Sequence, residues 1–109
     1  MKLFRTCLLV TAVIFGGAQP VAAGDEVMKL AEKKGCVVCH DIDKKRIGPA
    51  WKDVAEHYRG KSKAVKKVKN SILYGSMGNW GERPMLGMAK TVKPEQAEVL
   101  ATFIVNLDQ

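Results

Sequence analysis

Cys36-Val37-Val38-Cys39-His40 constrains this chain more than any other stretch of its sequence. Two thiols and an imidazole at i, i+3 and i+4 fall on one side of a helical turn. So placed, Cys36 and Cys39 can form thioethers to two vinyl groups of one haem, while His40 directs its imidazole at the iron. Cys-x-x-Cys-His is the attachment motif of a c-type haem. A thioredoxin-like redox pair shares the Cys-x-x-Cys spacing but sits in a βαβ setting, and no alternating, β-rich segments flank it here. A tetrahedral zinc site calls for a second pair of ligands at matched spacing. The only other histidine is His57, and the remaining cysteine, Cys7, lies in a segment expected to be removed. Two buried thiols and a surface histidine would leave the spacing unexplained.

The N-terminus reads as a secretory signal. Lys2 and Arg5 form a short positive region, residues 8–15 are apolar but too few to span a bilayer, and Val21-Ala22-Ala23 suits cleavage. Residues 1–23 are therefore expected to leave, and residues 24–109 to form one domain of 86 residues. A chain this short buries only about 60–65% of its unfolded surface, and aromatic residues make up just 6% of the sequence. A haem packed among Leu, Val, Ile and Ala would supply the missing apolar mass. Loss of Lys2 and Arg5 lowers the net charge from +7 to +5. An exported chain with two cysteines suits thioether use, since free thiols would be oxidised outside the cytoplasm.

Apolar spacing predicts helices and no strands. Asp25 and Glu26 favour a helix N-terminus, and Val27, Leu30 and Ala31 continue it to about Lys34, where Gly35 turns the chain into the motif. A basic loop, Lys44-Lys45-Arg46, leads to Gly48-Pro49. Trp51, Val54, Ala55 and Tyr58 mark a short helix closed by Gly60, and Val65, Val68 and Ile72 mark another. Residues 75–87 form a glycine-rich loop carrying Met77, Trp80, Pro84 and Met85. Pro94 suits a first helical position, and Ala97, Leu100, Ala101, Ile104 and Leu107 make the stripe of a final helix. The expected architecture is all-α: about four short helices around one prosthetic group.

Neutral imidazole binds haem iron through one nitrogen and can donate a hydrogen bond from the other, so His40 is an axial ligand in want of an acceptor. The stiff Gly48-Pro49 loop offers the Pro49 carbonyl. The sixth ligand decides the function. A protein group there leaves electron transfer; an open or displaceable position admits gas binding or peroxide chemistry, making a haem enzyme or gas sensor the rival reading. A soft methionine thioether favours ferrous iron. Four methionines follow the leader: Met28 on the first helix, where packing explains it, Met77, Met85 after the rigid Pro84, and Met88.

The chain resembles a class I cytochrome c of the short bacterial branch that delivers electrons to periplasmic nitrite reductases and terminal oxidases. Residues 35–40, the run Ile47-Gly48-Pro49-Ala50-Trp51-Lys52-Asp53-Val54-Ala55, the run Gly78-Asn79-Trp80-Gly81-Glu82-Arg83-Pro84-Met85 and the closing helix carry the resemblance, over essentially the whole chain after the leader. It implies a periplasmic monomer that is not an enzyme and holds one haem c through Cys36 and Cys39, with His40 and Met85 as axial ligands. It further implies that the Pro49 carbonyl accepts from His40, that the Trp80 indole N–H bonds a haem propionate, and that the first helix crosses the last, bringing Leu30 toward Phe103 and Ile104. The chain also departs from the branch. Two prolines and then an amide residue usually follow the methionine; here Leu86, Gly87 and Met88 stand there and the loop to Pro94 is slightly longer, so Met88 is the alternative ligand. Ser71 occupies the place of a basic residue that helps hold a propionate, with Arg83 as its substitute.

His57, beside Glu56 and Tyr58, reads as a solvated surface residue, and Trp51 as core packing or a haem-edge contact. Lys61, Lys63, Lys66, Lys67 and Lys69 form a basic stretch, with Lys44, Lys45 and Arg46 adding another. Nucleic acid is excluded as a partner by export and by the lack of a recognition module. The charge suits either a solvated exterior or docking on a redox partner with an acidic surface.

Overall fold

The computed structural model describes residues 23–108; the expected leader, apart from Ala23, lies outside them. The first helix, α1, is Ala23–Lys33, with Asp25 and Glu26 in its first turn and Lys33 in its last, each complementing the helix dipole. It stops at Gly35, whose φ of 80° is a left-handed turn that a side chain would resist. A single 3-10 turn follows, Cys36–Val38. Then come α2, Trp51–Tyr58; α3, Ala64–Tyr74; and α4, Pro94–Val105, which carries Pro94 at its start. Gln96 Oε1 accepts a hydrogen bond from the Lys93 N–H at 3.0 Å, covering an N-terminal amide that α4 cannot satisfy itself.

The four expected helices are present, and one expectation needs correcting. The glycine-rich segment contains a short antiparallel ladder, β1 (Gly75–Ser76) and β2 (Met85–Leu86), which pairs Gly75 with Leu86 and Ser76 with Met85. Two residues a side are too few for alternation to register in a sequence.

The core gathers around α4, against which α1, α2 and α3 all pack. Ala31 of α1 and Ala97 and Ala101 of α4 are fully buried, and their small side chains let backbones come close. Leu100, Ile104, Val54, Val68, Ile72 and Trp51 fill the space between. Burying each large apolar side chain contributes roughly 1.5–3 kcal/mol. Leu30, Phe103 and Ile104 share this cluster, as the implied crossing of α1 and α4 requires. Leu107 lies beyond the end of α4 yet still packs against the core.

Candidate functional site

The motif is wound as a 3-10 turn that His40 closes in α-helical fashion. Cys39 N–H donates to the Cys36 carbonyl at 3.2 Å and His40 N–H to the same oxygen at 3.0 Å. This is tighter than a full α-turn, yet Cys36, Cys39 and His40 still reach one cavity wall. Both cysteines are free and half-buried. Burial pushes the Cys36 thiol up in pKa; its own backbone hydrogen bond opposes the shift and neighbouring Cys39 adds to it.

The loop after the motif folds back on it. Gly48 N–H donates to the Cys39 carbonyl at 2.8 Å and Trp51 N–H to the Asp41 carbonyl at 2.9 Å. Arg46 reaches the Val37 carbonyl at 3.0 Å. Asp41 Oδ2 accepts from the Asp43 and Lys44 N–H groups at 2.8 and 2.9 Å, and these donors hold its carboxyl below the usual carboxylate range. The result is a fixed Pro49 carbonyl 2.8 Å from His40 Nδ1. A carbonyl can only accept, so Nδ1 carries the proton and the lone pair of the neutral ring sits on Nε2. Trp51, 3% exposed, stacks on the imidazole at 5.9 Å between ring centroids and 27° between planes. On the loop side a Cβ at Gly48 would stand 2.5 Å from His40 Cε1. The ring is thus held by one hydrogen bond, a stacked indole and a slot that only glycine leaves open.

The cavity that His40 enters measures about 620 Å³, within the usual range of cofactor sites. Val54, Val68, Ile72, Leu100 and Ile104 give it apolar walls, drawn from α2, α3 and α4. Of the four candidate methionines, Met85 and Met88 line it. Met28 packs against the core from α1, and Met77 is 77% exposed. In the ladder Met85 is half-buried while Leu86 is 79% exposed, the alternation expected of successive strand residues. Trp80, Arg83 and Ser71 also reach the cavity wall. Two thiols, an imidazole with its lone pair on Nε2, and thioether sulfurs on an apolar cavity are the donor set that a haem needs. The residues present fit that group.

His57 is exposed, as expected, and does not line the cavity. Its ring nevertheless packs edge-on against Trp80 at 5.0 Å and against Tyr58 at 4.8 Å. That contact, the stacking of Trp51 on His40 and the slot at Gly48 all add to the sequence reading. Gly48 and Trp51 left a trace there, the one standing directly before Pro49 and the other opening α2.

Comparison with known proteins agrees with this construction. The family model for cytochrome c matches residues 23–108. A cytochrome c-551 of Pseudomonas denitrificans is 46% identical over 86 residues, covering 79% of this chain and 99% of that protein. A cytochrome c-552 of Hydrogenobacter thermophilus is 39% identical over 79 residues, 72% of this chain and 79% of that one. The crystal structure of Nitrosomonas europaea cytochrome c552 superposes with a TM-score of 0.71 at 37% identity, covering 74% of this chain and 99% of its own.

Proposed function

This chain belongs to the cytochrome c family, and on that premise we propose that it is a periplasmic carrier of single electrons between redox proteins, with His40 and Met85 as the axial ligands of its one covalent haem c. Cys36 and Cys39 fit the attachment motif. Bound haem supplies a one-electron iron couple; everything else is the work of the chain. The hydrogen bond from His40 Nδ1 to the Pro49 carbonyl keeps the Nε2 lone pair available and makes the ring a stronger donor. The Met85 thioether is neutral and soft, and favours the reduced metal. Trp80 would donate its indole N–H to a propionate, and Arg83, which also lines the cavity, would lend the positive charge that Ser71 does not. Backbone hydrogen bonds tie the segments that carry His40 and Met85, and would hold both side chains in place through each transfer.

The observation that carries this reading is the meeting of His40, fixed by Pro49, with a methionine thioether in one apolar cavity. Such a protein turns over no substrate of its own. Its partners are redox proteins, in the manner of a nitrite reductase or terminal oxidase, that meet its positive surface with an acidic one; it acts as a monomer, without nucleic acid. After cleavage it has no membrane insertion. No helix among the described residues is long and apolar enough to cross a membrane. The test is spectroscopic. The oxidised protein should show a sulfur-to-iron charge-transfer band that Met85→Ala abolishes and Met88→Ala keeps, and the reduced protein should refuse carbon monoxide. The reverse pattern among the two variants would make Met88 the ligand, and ready carbon monoxide binding would favour a haem enzyme or gas sensor.

A further inference from the structure

The loop that presents Met85 lacks the pair of prolines that stiffens it in the resembling branch, and the structure shows a different clamp. Helix α3 ends with carbonyls that no helical amide can reach. The loop supplies their donors: Met88 N–H bonds the Ile72 carbonyl at 2.9 Å and Ala89 N–H the Leu73 carbonyl at 3.1 Å. Gly87 stands between this pair of bonds and the β1–β2 ladder. A Cβ at Gly87 would lie 2.7 Å from the Tyr74 carbonyl carbon, 2.8 Å from Leu73 O and 3.0 Å from Tyr74 Cα. All three are backbone atoms, so no rotamer change could make room. Across the same seam a Cβ at Gly75 would stand 2.6 Å from Met85 O. The loop and the end of α3 therefore meet backbone to backbone.

We propose that Gly87 is a positioning residue for Met85. By carrying no side chain it lets the loop dock on the C-terminal turn of α3, and that docking holds the Met85 sulfur in the cavity where other sequences use proline. The proposal rests on Met85 being the axial ligand. Any side chain at residue 87 lifts the loop off α3, shifts Met85 and weakens its hold on iron while leaving α1, α2 and α4 packed. The role is separable from folding: it predicts a defect at the sulfur before any defect in the helices.

The experiment compares holoprotein of the wild type, Gly87→Ala, Tyr74→Ala and Met85→Ala, following the charge-transfer band and the helical circular dichroism through one thermal melt. Gly87→Ala should lose the band at a temperature lower by about 10 °C or more, ahead of its helical signal, and should bind carbon monoxide when reduced. Tyr74→Ala, altered at a side chain 74% exposed on the α3 side of the seam, should behave as wild type. Band and helix melting together in Gly87→Ala would overturn the proposal, because residue 87 would then be merely structural. Should Gly87→Ala yield no holoprotein, amide exchange in the wild type decides. The Met88 and Ala89 amides should be protected like those of α3, and exchange at the rate of an unstructured chain would refute the clamp. Met85→Ala tests the underlying reading separately: a band that survives there removes the ligand assignment, and the proposal with it.

Discussion

A methyl group at residue 48 tests how tightly His40 is held. The Cβ of Gly48→Ala would overlap Cε1, Nδ1 and Nε2 of the ring, at 2.5, 2.9 and 3.0 Å. The ring cannot retreat easily, because the buried Trp51 stacks on it. Overpacking of this kind costs about 1–3 kcal/mol. Gly48→Ala should therefore lower stability by that amount in denaturant titration and broaden or shift the imidazole resonances of His40, as its hydrogen bond to Pro49 lengthens. Unchanged resonances and stability would mean that the slot has room to spare. Asp41 makes a prediction of a different kind. Its carboxylate accepts two backbone N–H bonds, which lower its pKa. A depressed carboxylate contributes stability that is present above its unfolded pKa and lost as pH falls through the folded value. Asp41→Ala should thus be less stable than wild type near neutrality, and the gap should close as acid protonates the wild-type side chain; a gap that stays constant into strong acid would exclude this account.

Among the elements, α4 decides whether the cavity exists, since it contributes Leu100 and Ile104 to the wall and the fully buried Ala97 and Ala101 to the core behind it. Ala101→Leu would force α4 away from its neighbours. We expect a loss of about 1–3 kcal/mol, visible as a lower denaturation midpoint with an unchanged slope, whereas a surface change such as Val99→Ala, at a side chain 47% exposed, should be near neutral. These helices were legible in the sequence because their apolar residues repeat with the helical period and their ends carry Gly35, Pro94 and Gly60. The motif side of the site was equally legible: Cys36, Cys39, His40 and Pro49 lie within fourteen residues, and their chemistry is local. The methionine side was not. The ladder is two residues long, and the approach of Gly87 to Tyr74 joins backbones that no local pattern relates. The packing of His57 on Trp80 is likewise a product of tertiary structure. Residue chemistry alone left four methionines in play and the resemblance narrowed them to Met85, with Met88 as the alternative; in the folded chain these two are the ones that line the cavity.

For the molecule as a whole the open question is which of its positive charges a partner meets. Several are already engaged. Lys69 pairs with Glu98 at 2.7 Å, Lys52 with Asp43 at 2.6 Å, and Lys34 donates to the Thr91 carbonyl at 2.7 Å. Lys45 and Arg83 differ in their setting. They border an open cleft with Arg46, and this cleft shares Val38, Ile47, Trp80 and Arg83 with the wall of the main cavity. Val38 and Ile47 are 67% and 51% exposed there, so apolar surface and positive charge lie side by side at the mouth. Charges near the contact govern encounter rates, and their effect fades as salt shortens the screening length to about 8 Å at physiological ionic strength. Electron-transfer rates to an acidic partner should accordingly fall as salt rises. Lys45→Glu should both slow the reaction and flatten its salt dependence, more than Lys66→Glu does on α3. Arg46 is the wrong place for this test, because its guanidinium holds the Val37 carbonyl inside the motif, and its loss would mix docking with folding. Equal effects from Lys45 and Lys66 would mean that the partner feels only the net charge, and a rate indifferent to salt would remove electrostatic docking from the description altogether.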